Sequence, residues 1–330
     1  MRLRSCRIKE KILMNTIKHL IYSRAAKARA VPLAIAQPGL AQPDASFLQA
    51  LAVLFKLRIV TLLLFAAVGG AFLGANGRPA LSQLALLLVT GGLAASGASA
   101  LNQYLERDSD ARMARTRKRP LVVGAIARPG WVPYVAGLMI LLPSLAVLPF
   151  NPALAVFLLL GAAIYVGIYT LWLKPRTLLN IVIGGAAGSA AVLSGSAAVG
   201  AWNNPGAVAL ALLVFLWTPT HFWSLAIVYR NDYRQGGMPM LPTQASPRAS
   251  AWWVSLHTAA TAFAALMLAG QPALGWVYFV PVAVATFDLM LRNVRLLVRP
   301  EGKQALSLFK ASNLYLALIL LMVCVAPLVR

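Results

Sequence analysis

The segment NQYLERDSDARMARTRKRP, residues 102–120, gathers Glu106, Asp108 and Asp110 in a chain with only eight acidic residues in all. Read as a helix, it places Asn102, Glu106 and Asp110 at every fourth position, within an arc of about 80° and a rise of about 12 Å. Asp108 falls off that arc. One oxygen-rich stripe of this kind suits a hard cation, because Mg²⁺ takes only one or two carboxylates and completes its shell with water and substrate phosphates. Arg112, Arg115, Arg117, Lys118 and Arg119 follow directly and offer donors for phosphate oxygens. Carboxylates beside a basic run fit a metal-bridged diphosphate, which bare carboxylates would repel. The same spacing also fits a solvated, charge-balanced loop whose basic run only fixes topology. Taken alone, it does not separate the two.

A second polar segment, THFWSLAIVYRNDYRQGGMPMLP (residues 220–242), carries Asp232, the only acid between Asp110 and Asp288. His221 and Asp232 are eleven residues apart and share a face if the helix is continuous. The two polar sites end apolar spans that lie four apart, an even offset that puts both on one side of a membrane. Asp232 is then placed to close a metal site from the opposite half.

The elements that must hold these residues are membrane helices. The chain is 60% hydrophobic and 12% charged, with a mean hydropathy of +0.74, and apolar segments of bilayer length recur along it. Nine spans are predicted, at roughly 53–75, 81–102, 131–150, 152–173, 179–200, 206–229, 250–270, 272–291 and 309–329, giving an all-α polytopic fold. With the N-terminus inside, 28 of the 30 Lys and Arg fall on the cytoplasmic side, leaving Arg78 and Arg330 outside. That partition is the positive-inside pattern, and a basic face suits anionic lipid heads and anionic substrates. The net charge of +22 does not point to nucleic acid, since no stacking or groove-reading motif accompanies it. Cys6 and Cys324 fit neither a disulfide framework nor a CxxC metal site. No HExxH, Walker or GxSxG pattern occurs. Residues 1–46 read as a mobile basic tail, a bacterial extension in preference to a mitochondrial transit peptide, with Met14 an alternative start. Residues 47–330 read as one membrane domain of two parallel four-helix halves plus a ninth helix. Its Gly-, Ala- and Ser-rich stretches, such as IVIGGAAGSAAVLSG from Ile181, suit close helix packing through Gly184 and Gly188. Small side chains there also leave room for a bulky apolar ligand.

Six blocks in order, from FKLRIVTLLLFAAVGGAFLG through NQYLERDSDARMARTRKRPLVVG, YTLWLKPRTLLNIVIGGAAGS, WTPTHFWSLAI and NDYRQGGMPMLP to SLFKASNLYLALIL, resemble the protoheme IX farnesyltransferase (heme O synthase) family. That family is a branch of the UbiA-type intramembrane prenyltransferases, and the likeness covers about residues 50–329. It implies nine transmembrane helices around a central pocket facing the cytoplasm, and Mg²⁺-dependent transfer of a farnesyl group from farnesyl diphosphate to a vinyl group of heme B. It also implies a bacterial inner membrane location, with the mitochondrial inner membrane as alternative, and partners among heme A synthase or terminal oxidase assembly factors. Its catalytic and metal-binding positions fall on Asn102, Glu106, Asp110 and Asp232. Glu106 stands where many members have Asp, and Gly236 where superfamily members acting on other acceptors have a second Asp.

For the substrates, the resemblance and the charge pattern together mark Arg58, Arg112, Arg115, Lys118, Arg119, Lys174 and Arg176. Tyr169, one turn before Lys174, is placed to steady an allylic cation. His221 is a candidate for heme contact, against a plain packing role, and Tyr233 a candidate for substrate binding as a ring-stacker. Trp217, Trp223 and Tyr233 also read as interfacial anchors. Lys56 and Arg58 flank the first span's entrance, suited to a phosphate or propionate or only to snorkelling. Asp288 is expected to cap the cytoplasmic end of span eight. The rival readings are a sister prenyltransferase for a quinone precursor or chlorophyll-type ring, and a non-catalytic heme transporter or assembly factor. Transport is disfavoured because every acid lies in loops, helix ends or the tail rather than at the midplane.

Overall fold

The computed structural model describes residues 47–329. The tail expected over 1–46, with Cys6 and Met14, lies outside the described residues, as does Arg330. Every regular element among the described residues is helical. They run α1 (Phe47–Leu54), α2 (Leu57–Gly74), α3 (Leu81–Asp110), α4 (Val132–Val147), α5 (Pro152–Ala162), a π-helix (Ala163–Leu173), α6 (Asn180–Gly184) and α7 (Ala186–Ala198). There follow α8 (Pro205–Val228), α9 (Arg230–Gln235), α10 (Leu241–Gln244), α11 (Pro247–Leu268), α12 (Gly275–Val298) and α13 (Gly302–Val329). Among the described residues nine spans are long and apolar enough to cross a membrane, α5 with the π-helix and α6 with α7 each counting as one.

Local chemistry sets several starts. Asn151, Asn204 and Ser246 each accept a backbone N–H of the turn they open, and Pro152, Pro205 and Pro247 follow them. A capping oxygen then a proline is what a helix start requires, because the first N–H groups have no partner within the helix.

Two boundaries differ from expectation in ways that matter. α3 continues past the apolar run to Asp110, so the acidic stripe is fully helical. α12 continues to Val298, which leaves Asp288 well inside the helix. There it pairs with Arg292 one turn on, 2.7 Å away, instead of capping an end.

The spans pack as a group of five and a group of four. Span one (α2) lies against span five (α7) and closes the first group, and span six (α8) lies against span nine (α13) and closes the second. Spans one and five join the groups through six and nine. This differs from two four-helix halves plus a ninth helix, and the small residues explain it. A Cβ on Gly70 would fall 2.0 Å from the Val192 carbonyl oxygen, and one on Gly195 1.7 Å from that of Ala67. Backbones of α2 and α7 therefore touch, which only glycine permits.

Candidate active site

The stripe faces inward. Asn102, Glu106 and Asp110 are 2%, 7% and 1% exposed, while the side chain of Asp108 is 90% exposed and meets only Arg107 at 3.6 Å. A buried carboxylate must be paired, and each of the two is. Lys174 Nζ lies 2.5 Å from Glu106 Oε1, and Arg119 Nη1 lies 2.5 Å from Asp110 Oδ2. Asn102 accepts from Lys56 Nζ at 2.6 Å through Oδ1 and donates through Nδ2 to Thr170 Oγ1 at 2.9 Å. Ends of spans one, two and four thus converge on one membrane side, as the even offset requires.

Asp232 comes to the same side from the second group. Its carboxylate accepts the backbone N–H of Ala114 at 2.6 Å and of Arg115 at 3.3 Å, in the loop that follows the stripe. Arg115 Nη2 donates to Tyr233 Oη at 3.1 Å, and its guanidinium lies over the Tyr229 and Tyr233 rings. Beside this junction is a cavity of about 360 Å³ lined by Ala114, Arg115, Val228, Tyr229, Asn231 and Asp232. His221 and Asp232 do not share one helix face, because α8 stops at Val228 and Tyr229 (φ −101°, ψ 29°) breaks the helix before α9. The break falls where the apolar run ends and Arg230 and Asn231 begin.

Span four places the aromatic residues by an unusual register. Residues 163–173 form a π-helix, a rare geometry that is frequent at functional sites. Lys174 N–H bonds back five residues to the Tyr169 carbonyl, and Lys174 Nζ lies 5.5 Å from the centre of the Tyr169 ring. Tyr165 stacks on Tyr169 at 5.9 Å and 9°, and its hydroxyl accepts from Lys56 at 3.0 Å. Gly184 leaves the room for Tyr169, since a Cβ there would meet Tyr169 Cδ2 at 2.7 Å.

The other candidates separate. Arg112 and Lys118 stand exposed on the loop. Arg58 is exposed, whereas Lys56, at a left-handed φ of 50° between α1 and α2, turns into the site. Burial, then the Arg119 charge, lowers the Lys56 ammonium to about 7, with Glu106 pulling the other way. Arg176 folds back on the Leu171 and Trp172 carbonyls and ends its own helix. His221 sits between the Trp217 and Phe309 rings, 4.5 Å from each, with Nδ1 3.2 Å from Ser312 Oγ. Trp223 and Tyr233 are buried, which excludes them as interfacial anchors.

Three residues that sequence reasoning passed over belong here. Tyr165 and Thr170 carry no signal while span four is read at helical period. Met113, buried at 2%, packs so closely on Gly236 that a Cβ at 236 would lie 2.7 Å from Met113 Cγ. This loop side chain fills the space beside Gly236.

The donor set is entirely oxygen, in Asn102, Glu106, Asp110 and Asp232, with cations against it. Among the described residues no three His, Cys, Asp or Glu side chains form a ready metal cage. An all-oxygen donor set suits a hard cation such as Mg²⁺, which takes few carboxylates and completes its shell with water and substrate phosphates.

A profile of the UbiA prenyltransferase family matches residues 62–319. A protoheme IX farnesyltransferase from Metallosphaera sedula is 40% identical over 276 residues, 84% of this chain and 95% of that protein. A solved digeranylgeranylglyceryl phosphate synthase superposes with a TM-score of 0.72 at 15% identity, over 86% of this chain and 99% of that one. A UbiA homolog from Archaeoglobus fulgidus bound to DMAPP and Mg²⁺ superposes with a TM-score of 0.59 at 16% identity, over 84% and 99%.

Proposed function

The chain belongs to the UbiA prenyltransferase family, and from that premise we propose that it is a multi-pass membrane enzyme converting heme B to heme O with farnesyl diphosphate. The observation that carries the reading is the buried stripe of Asn102, Glu106 and Asp110 with a lysine or arginine against each acid. The relative named protoheme IX farnesyltransferase supports the acceptor, and the Met113–Gly236 contact supports it against sister enzymes.

Mg²⁺, held by Asn102, Glu106, Asp110 and Asp232, would supply positive charge to the diphosphate. The A. fulgidus homolog bound to DMAPP and Mg²⁺ supports Mg²⁺ as the cation. Lys56, Lys174, Arg115 and Arg119 stand where they take up the negative charge that grows as the C–O bond to farnesyl breaks. Such fixed charges stabilise the leaving group without reorganising at the moment of reaction. The stacked faces of Tyr165 and Tyr169 lie beside them and steady the allylic cation. The terminal vinyl carbon of heme B forms the new C–C bond. Water then adds to the porphyrin-side carbon and loses a proton, leaving a hydroxyethylfarnesyl group. Keeping water from the first cation is the reason to do this among membrane helices. We place the site on the cytoplasmic side of the membrane, on the strength of the 28-to-2 charge partition.

Purified protein given heme B, farnesyl diphosphate and Mg²⁺ should yield a less polar heme heavier by one farnesyl group and one hydroxyl. A chelator should stop the reaction, and heme lacking vinyl groups should be inert. Prenylation of 4-hydroxybenzoate with heme B untouched would establish the sister-enzyme reading instead.

A further inference from the structure

We infer that Thr170 is a positioning residue that fixes the orientation of the Asn102 side-chain amide, so that its oxygen rather than its NH₂ faces the cation and diphosphate. The inference rests on the functional reading above. A carboxamide has nearly the same shape either way round, yet only one end can accept from or ligate a cation. Something must choose the end.

The choice is made by the direction of one proton. Thr170 Oγ1 lies 2.7 Å from the Tyr165 carbonyl, which has no hydrogen to give, so the hydroxyl proton is spent there. Only lone pairs remain towards Asn102, and Asn102 Nδ2 donates to them at 2.9 Å. Oδ1 is then left facing Lys56 Nζ at 2.6 Å. A flipped amide would set oxygen against the Thr170 lone pairs and NH₂ against the lysine, losing both contacts in a buried place.

The π-helix makes the commitment possible. In the α-helical spans Thr90, Thr218 and Thr286 bond the carbonyl four residues back. Thr170 bonds the one five residues back, which is the π register. The same turn brings the Tyr165 hydroxyl to Lys56 at 3.0 Å. One hydroxyl thus ties spans one, two and four into a single oriented network.

The test uses the full-length protein in detergent, as Thr170→Val, Thr170→Ser, Asn102→Asp and the double variant Thr170→Val/Asn102→Asp. Mn²⁺ binding is read by electron paramagnetic resonance with the unreactive farnesyl thiolodiphosphate present, and kcat and KM with farnesyl diphosphate and heme B. Thr170→Val keeps shape but loses the hydroxyl, and should weaken Mn²⁺ about tenfold, equivalent to ~1.4 kcal/mol. Thr170→Ser should recover most of that loss. In the Asn102→Asp background the two oxygens are alike and need no choosing, so adding Thr170→Val should change Mn²⁺ affinity by less than about twofold. Equal losses in both backgrounds would mean a merely structural role. No loss in Thr170→Val, or no Mn²⁺ binding by the parent protein, would equally overturn the inference. A parent protein that shows the expected Mn²⁺ pattern but makes no farnesylated heme would sink the substrate assignment and leave the positioning role standing.

Discussion

Glu106→Gln is the sharpest single test of the site. It keeps size and helix and removes one charge from a place that water barely reaches, the two side chains being 7% and 12% exposed. Losing one fixed electrostatic contact in such a site costs about 100- to 1,000-fold in kcat, or ~2.7–4 kcal/mol. There is a second effect to separate. Lys174 loses its partner at 2.5 Å, and half of a broken buried pair destabilises by at most about 3–5 kcal/mol. Lys174 still lies over the Tyr169 ring at a helix end, so the observed loss should fall below that range. The double variant Glu106→Gln/Lys174→Gln removes both charges. It should regain thermal stability in detergent and stay inactive, because the site has lost a cation as well as an acid. Asp108→Asn is the control, exposed and off the stripe, and should hold activity within about twofold. Farnesylated heme is followed by mass under saturating Mg²⁺. If Asp108→Asn fell as far as Glu106→Gln, or if Glu106→Gln remained active, the stripe argument would be wrong.

Three further outcomes are expected. A cysteine placed at Ser109 or Gln235 should escape membrane-impermeant thiol reagents added outside intact cells, while one at Asn203 should react; outside labelling at 109 would reverse the orientation. Gly236→Ala should lower kcat/KM about tenfold, the equivalent of an overpacked contact worth ~1–3 kcal/mol, and Met113→Ala in the same chain should restore it; no rescue would mean the contact does not position the loop. Lys56→Met should raise KM for farnesyl diphosphate strongly while Arg58→Met stays near the parent value, since one points inward and the other out; equal effects would refute that separation.

Periodicity made the acids legible. Asn102, Glu106 and Asp110 recur at a helical repeat, and α3 does continue through them, so the face they share followed from spacing alone. Span number was legible for the same kind of reason, because bilayer thickness sets a minimum apolar length. Ends were less so. Span two, span eight and span nine all run beyond their apolar stretches into charged residues, since a helix emerging into water keeps its backbone bonds whatever its side chains. Asp288 was misplaced as a cap on that account. His221 and Asp232 were misjudged for the opposite reason, an assumed continuity that Tyr229 interrupts.

What spacing could not give was partners. Lys56 and Asn102 are 46 residues apart, Glu106 and Lys174 68, and Asp232 and Ala114 118. A sequence reading sees that basic residues are plentiful on one membrane side, but it cannot say which of Lys56 and Arg58 turns inward. Lys56 sits in the left-handed turn between α1 and α2, and Arg58 in the first turn of α2, so the backbone sends them different ways. The π-helix was hidden more deeply still. Span four is apolar nearly all round, so its sequence carries no period that marks the wider turn, which shows in the π-helix of residues 163–173 and the five-residue back-bonds of Thr170 and Lys174. That turn decides which side chains of the span enter the site. Substitutions that restore the α register there should therefore disable the protein without touching an acid, a base or a residue against the substrate.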